Sequence, residues 1–350
     1  MKKTRLLFVI FISMFLLSAC SLPEQDGTKT VVVLTTGFGE DEVFRLEEQS
    51  CRLPELYVYL TNMQNQYEKV YGSQIWEASA GGKTLEENVK ETALAQIVQV
   101  KAMTLMARNY GISLTEEEKE KVKTLAEEYY DSLNETEIEA MGVNLSLIRQ
   151  LYEEYALADR VYHFLIKDIN PEVSDDEART ITVQQIMIRT VTYDEEGNPV
   201  PLSEEEKKAA WGKAREAYDK AMEGVNFDTL IQQYSDDETS TYTFGKGDMD
   251  EVFETAAFNL GTDEISPIVE TGYGYHIIKC ISTFNREETD LNKVKIVEEK
   301  KREVFGEEYD AFAEKLVRTL NEEVWEQVGF LEDEAIVTND FFDRYEEAFE

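Results

Sequence analysis

Side chains able to do chemistry are few and scattered. The 350 residues hold two histidines, His163 and His276, and three cysteines, Cys20, Cys51 and Cys280. Two imidazoles exclude a three-histidine zinc site within one chain, and the lack of any CxxC excludes zinc ribbons and thioredoxin-type redox motifs. Two phosphate-binding signals also fail. Gly82-Lys83-Thr84 has the end of a P-loop, but Glu77 stands where its first glycine belongs; Gly37-Phe38-Gly39 is followed by Glu42 where a dinucleotide fingerprint needs its third. Both read as turns. Asp248-Met249-Asp250 is too short and too apolar for a calcium loop. His163, among Tyr162, Phe164 and Leu165, reads as a packing or capping residue. The expected chemistry therefore uses no metal and no cofactor.

Charge narrows the partners. Lys+Arg number 35 against 72 Asp+Glu, a formal net charge of -37, which speaks against nucleic acid because a phosphate backbone is held mainly by Lys and Arg. Residues 1–19 have the layout of a signal peptide: Lys2, Lys3 and Arg5, then the apolar run Leu6 to Leu17, too short to span a bilayer. Leu17-Ser18-Ala19-Cys20 resembles a bacterial lipobox, so cleavage would leave Cys20 as a lipidated N-terminus on a tether, residues 20–28. Cleavage removes three basic residues and no acidic one, taking the formal charge from -37 to -40. Cys51 and Cys280 then remain; free buried thiols are the default reading.

The elements that must position any site fall into two textures. Lys29 to Thr35 reads as a strand, and residues 41–178 as strongly helical. Capping boxes stand at Thr84-Leu85-Glu86-Glu87 and Thr115-Glu116-Glu117-Glu118, and Gly111 ends the helix that carries Val89, Ala93, Ile97 and Val100. A further helix carries Leu147, Ile148, Leu151, Tyr155, Val161 and Leu165 and is expected to stop near Asn170-Pro171. From Ile181 to Ile188 the chain is β-rich. An acidic loop from Tyr193 to Leu202 leads to a helix capped at Ser203, short helices at Phe227–Tyr234 and Asp250–Asn259, and strands near Pro267–Val269 and Tyr275–Ile281. This order indicates an α+β domain. From Leu291 a helix with Val297, Val304, Phe305, Phe312, Leu316 and Leu320 on one side follows, then a short β segment at Ile336–Thr338 and an aromatic stripe of Phe341, Tyr345 and Phe349. The late helix needs the early ones as partners. We therefore expect a discontinuous helical domain, residues 29–178 plus 289–350, with an α+β domain at 181–284 inserted in it.

Several blocks within 181–284 recur in a fixed order: Phe227-Asp228-Thr229-Leu230 through Tyr234-Ser235-Asp236-Asp237, Phe244-Gly245-Lys246-Gly247-Asp248-Met249, Phe253-Glu254-Thr255-Ala256-Ala257-Phe258, and Thr271-Gly272-Tyr273-Gly274-Tyr275-His276-Ile277-Ile278. They resemble the parvulin family of peptidyl-prolyl isomerases, whose domain is FKBP-like. With the signal peptide, lipobox and split helical domain, the whole looks like the PrsA-type foldase lipoproteins and, more distantly, SurA-like chaperones. The resemblance implies a substrate wall of Met249, Phe253 and Phe258, with Tyr273 beside it, and catalytic positions at His276, Asp237, Thr271 and Gln185. Met249 and Phe253 lie four apart, on or entering a helix, and so could face one cleft. Gln185 stands where the family has a histidine, and the loop after Asp237 is shorter than the family's. Phosphate-reading parvulins carry a basic cluster in the loop after the first strand; here that loop holds Asp194, Glu195 and Glu196, against phosphate recognition.

Rotating an X-Pro bond needs no nucleophile, only relief of a barrier of roughly 18–20 kcal/mol set by amide resonance. The sequence thus implies an extracytoplasmic, lipid-anchored isomerase acting on unfolded or partly folded secreted polypeptides with X-Pro bonds. The alternative is a non-catalytic holdase whose parvulin domain is degenerate, motivated by Gln185 and the short loop.

Overall fold

The computed structural model describes residues 37–80, 82–194 and 198–349. The signal peptide, Cys20, the tether and the strand expected at Lys29–Thr35 lie outside the described residues, as do Glu195 and Glu196. Among the described residues two compact units emerge: 37–168 with 305–349, and 169–304. The second is wider than the 181–284 blocks. Asp175 and Glu177 pair with Lys293 and Lys300, the Thr180 amide donates to Thr289 Oγ1 at 3.1 Å, and Lys246 and Asp248 of the inserted domain pair with Asp176 and Lys295, so both flanking segments join the second unit.

The first unit begins with a correction. Residues 42–52 are not helical: β1 (Glu42–Leu46) and β2 (Gln49–Arg52) form a hairpin, and β1 also pairs with β11 (Arg318–Leu320), giving the order β11-β1-β2. The two-residue turn is Glu47-Glu48, without the Asn-Gly or Asp-Gly that marks such turns, and Glu47 takes a positive φ of 53°. Val317 holds that turn from the far end of the chain: Glu47 N–H donates to the Val317 carbonyl, and Val317 N–H donates to Glu47 Oε1. Helix α1 (Leu53–Tyr71) follows, then a small hairpin of β3 (Ser79–Ala80) and β4 (Lys83–Thr84). Helices α2 (Leu85–Tyr110), α3 (Glu116–Ser132), α4 (Glu135–Met141) and α5 (Leu145–Ile166) complete the early part. Both expected capping boxes form, Thr84 with Glu87 and Thr115 with Glu118, and Gly111 takes the left-handed conformation after α2. Among the described residues no helix is long and apolar enough to cross a membrane. Cys51 and Cys280 are free and buried.

Unit 2 holds an antiparallel sheet in the order β8-β5-β10-β9, built from β5 (Ile181–Arg189), β8 (Thr241–Phe244), β9 (Val269–Glu270) and β10 (Gly274–Ser282). The fold class is α+β. After β5 come a hairpin, β6 (Val191–Tyr193) and β7 (Pro199–Pro201), and helices α6 (Glu204–Met222) and α7 (Phe227–Tyr234); α8 (Glu251–Phe258) stands between β8 and β9. The sheet is buried on both faces, which is why β5 and β10 read as nearly continuous apolar runs. On one face Ile186, Ile188, Tyr275 and Ile277 pack on α6 and α7 through Ala214, Ala217, Phe227 and Leu230; on the other Ile181, Val183, Ile278 and Cys280 pack on α8 through Phe253 and Ala257.

The late helix, α9 (Arg286–Ala313), stops before Leu316 and Leu320, which belong to the turn and to β11. After the short α10 (Glu322–Trp325), Ile336–Thr338 is not a strand. Its backbone is instead satisfied by side chains: Val337 and Thr338 N–H donate to Glu137 Oε1 at 2.8 and 2.7 Å, and Asn65 donates to the Ile336 and Thr338 carbonyls. Helix α11 (Phe341–Phe349) then sinks Phe341 among Tyr59, Tyr129 and Tyr152, stacked on Tyr152 at a centroid distance of 4.2 Å. Asn62 accepts the Phe341 N–H and donates to Tyr129. Phe341→Ala should therefore cost the first unit about 3–5 kcal/mol, measured by urea denaturation; a loss below about 1 kcal/mol would show that the C-terminal helix is peripheral.

Candidate active site

The site grows from the pairing of β5 with β10. Met187 lies opposite His276 and Gln185 opposite Ile278, so Gln185 and His276 are diagonal neighbours on the face that packs against α8. Gly274, where β10 begins, is required by close approach: a Cβ there would stand 2.3 Å from the Ile188 carbonyl oxygen. The Tyr273 carbonyl accepts from Thr190 N–H, and the Thr271 N–H donates to the Gly274 carbonyl, folding the turn so that Thr271 reaches the imidazole.

Four of the expected residues form one hydrogen-bonded row. Asp237 Oδ2 accepts from Gln185 Nε2 at 2.7 Å; Gln185 Oε1 meets His276 Nδ1 at 2.8 Å; His276 Nε2 meets Thr271 Oγ1 at 2.9 Å. Chemistry fixes each direction. A carboxylate only accepts, so the amide must present its NH2 to Asp237 and its oxygen to the ring. Nδ1 therefore carries the ring proton and donates. Nε2 is left as an acceptor for the Thr271 hydroxyl, whose oxygen in turn accepts the Tyr273 N–H at 3.1 Å. Gln185 and His276 are 5% and 6% exposed, while Asp237 and Thr271 are half-buried and form the accessible ends.

Electrostatics agree with a neutral ring. Burial outweighs the Asp250 and Asp237 carboxylates and pushes the His276 imidazole down to about 4. The edge of Phe253 meets the ring at 5.3 Å between centroids.

The expected wall divides. Phe253 is buried beside the imidazole, and Met249, entering α8 just before its N-cap Asp250, is half-buried against the same cluster. Phe258, five residues beyond Phe253, packs against the same cluster through Phe244, and Arg179 sits over its ring at 4.9 Å. The Tyr273 side chain is 53% exposed and takes no part in the row. One residue of the site was missed from sequence. Tyr242, on β8, donates its hydroxyl to Asp237 Oδ2 at 2.7 Å. The alternation Thr241-Tyr242-Thr243-Phe244 is the signal that could have revealed the strand and the tyrosine's inward face.

A depressed imidazole makes stability depend on pH. Between about pH 6.5 and 4 the unfolded ring binds a proton that the folded ring does not, so the contribution is complete above about pH 6.5 and is lost as pH falls toward 4. The stability gap between wild type and His276→Asn, from urea denaturation, should shrink by on the order of 3 kcal/mol across that window. A gap independent of pH would mean that the ring titrates normally.

Comparison with known proteins places this geometry. Residues 186–282 match the rotamase family, described as the PPIC-type PPIASE domain. The foldase protein PrsA of Caldanaerobacter subterraneus subsp. tengcongensis is 28% identical over 320 residues, covering 87% of this chain and 91% of the relative. That of Clostridium acetobutylicum is 26% identical over 312 residues, covering 82% and 86%. The crystal structure of the peptidylprolyl isomerase PrsA from Bacillus cereus superposes with a TM-score of 0.37 at 21% identity, over 77% of this chain and 97% of that one. Residues 186–282 thus match a PPIC-type, or parvulin, peptidyl-prolyl isomerase domain, and the chain as a whole is similar to PrsA foldases.

Proposed function

We propose that the chain is a peptidyl-prolyl cis/trans isomerase that assists the folding of secreted polypeptides outside the cytoplasm, tethered to the membrane through a lipid on Cys20. The observation that carries the catalytic part is the row Asp237–Gln185–His276–Thr271 beside the apolar Phe253 and Met249. In a planar amide the carbonyl oxygen is partly negative and the nitrogen partly positive; twisting about C–N removes that separation. An apolar wall that seats the proline ring solvates the planar form poorly. The Asp237 carboxylate, at the accessible end of the row, adds a fixed charge beside the amide. His276 and Gln185, both buried, hold that carboxylate and need not change protonation state. Gln185 in the family's histidine position presents a donor group at one end and an acceptor at the other, as a neutral imidazole does, and both ends are bonded. This supports an active centre over the holdase alternative.

Slow uncatalysed X-Pro rotation, tens to hundreds of seconds, gives such an enzyme a role in folding. A proline-peptide isomerisation assay tests the reading. Met249→Ala should lower kcat/KM roughly tenfold through lost apolar contact, and Asp237→Asn about a hundredfold through lost charge. A wild-type rate at background would leave the holdase reading. The anchor is tested separately: Cys20→Ser should move the protein from the membrane fraction to the soluble one, and an unchanged distribution would overturn lipidation at that residue.

A further inference from the structure

We infer that Tyr242 is a positioning residue for the isomerase centre, selecting the tautomer of His276 through Asp237 and Gln185. The inference rests on the isomerase reading above. Three observations converge on it. Tyr242 pairs with Val183 in the β5–β8 register and packs on the same cluster as Phe253, so its ring lies on the face that holds Gln185 and His276. Its hydroxyl and the Gln185 amide both donate to one oxygen, Asp237 Oδ2, each at 2.7 Å. The segment from Asp237 to β8 is only Glu238-Thr239-Ser240, pinned by the Gln185 N–H donating to the Ser240 carbonyl.

The half-buried carboxylate is thus held toward the sheet by two donors, one of which is the group it must orient. Remove the phenol, and the carboxylate can turn toward water and release the Gln185 amide. A freed amide can flip, presenting NH2 to Nδ1; the ring then carries its proton on Nε2 and donates to Thr271. The whole row runs in the opposite sense, with a different charge distribution at its accessible ends. Tyr242 prevents this by keeping Oδ2 in place, and burial together with the Asp237 bond raises the phenol's own pKa, so it remains a donor through neutral pH. The hydroxyl lies outside the sequence blocks that carry the parvulin resemblance.

Nitrogen NMR of the His276 ring in the full chain tests the inference without reference to turnover. Wild type should show one neutral tautomer protonated at Nδ1. Tyr242→Phe should show both tautomers, and its kcat/KM should fall about five- to tenfold. Thr243→Val, on the same strand but facing away, where Thr243 bonds Thr182, should leave ring signals and rate unchanged; it controls for damage to β8. A Tyr242→Phe ring still held as the Nδ1–H tautomer at the wild-type rate would overturn the inference. A background rate in wild type with the tautomer shift present would instead overturn the isomerase reading and leave the positioning role standing.

Discussion

The antiparallel pairing of β5 with β10 is the constraint on which the site depends. It sorts residues strictly by parity: Ile186, Ile188, Tyr275 and Ile277 to one face, Ile181, Val183, Gln185, His276 and Ile278 to the other. A slip of one residue would carry Gln185 into the apolar layer beneath α6 and α7, leaving its amide with no partner. Gly274 guards the register, because only a residue without Cβ lets β10 pass the Ile188 carbonyl. Two buried polar side chains on one sheet face are costly unless fully bonded, and here each is bonded at both ends.

That bonding explains how glutamine serves where parvulins carry histidine. A neutral imidazole and an amide each offer one donor and one acceptor in a row, so connectivity survives the exchange. What is lost is a second titratable ring. With His276 itself pushed down to about 4, its ring stays neutral through neutral pH. The sense of the row is then set by the acceptor-only carboxylate of Asp237 and by whatever holds it.

The legibility of the sequence followed the range of the forces involved. Capping boxes at Thr84 and Thr115 and the Gly111 stop depend on neighbours a few residues away and could be read directly, whereas Asp237, Phe253 and His276 were reached only through the resemblance their blocks carry. The hairpin at 42–52 could not: its turn is Glu47-Glu48, stabilised by Val317, about 270 residues distant. Ile336–Thr338 has strand composition, but Glu137 and Asn65 take the hydrogen bonds a neighbouring strand would have taken. The alternation around Tyr242 could mark a strand and an inward face, but the role of its hydroxyl could not be read locally, because it comes from a carboxylate held beside β5.

The same distinction bears on how a split helical unit tolerates so long an insertion. Its sheet needs β11 beside β1, and its aromatic core needs Phe341 beside Tyr59, pairs separated by most of the chain. Left unfolded, the intervening residues would be a long flexible loop. Loop-closure cost grows only slowly, about 0.6 kcal/mol per doubling of length, but it must be met before any distant contact forms. The inserted unit removes much of it. Its contacts lie within one continuous stretch, and its own folding joins its incoming and outgoing segments: Thr180 bonds to Thr289, and Glu177 meets Lys300 at 2.6 Å. Once that unit is formed, the connection facing the helical unit is short whatever the number of residues inside it. The ion pairs and threonine bonds along residues 174–180, outside both the catalytic row and the parvulin blocks, are thus the contacts that make a discontinuous first unit compatible with its interruption.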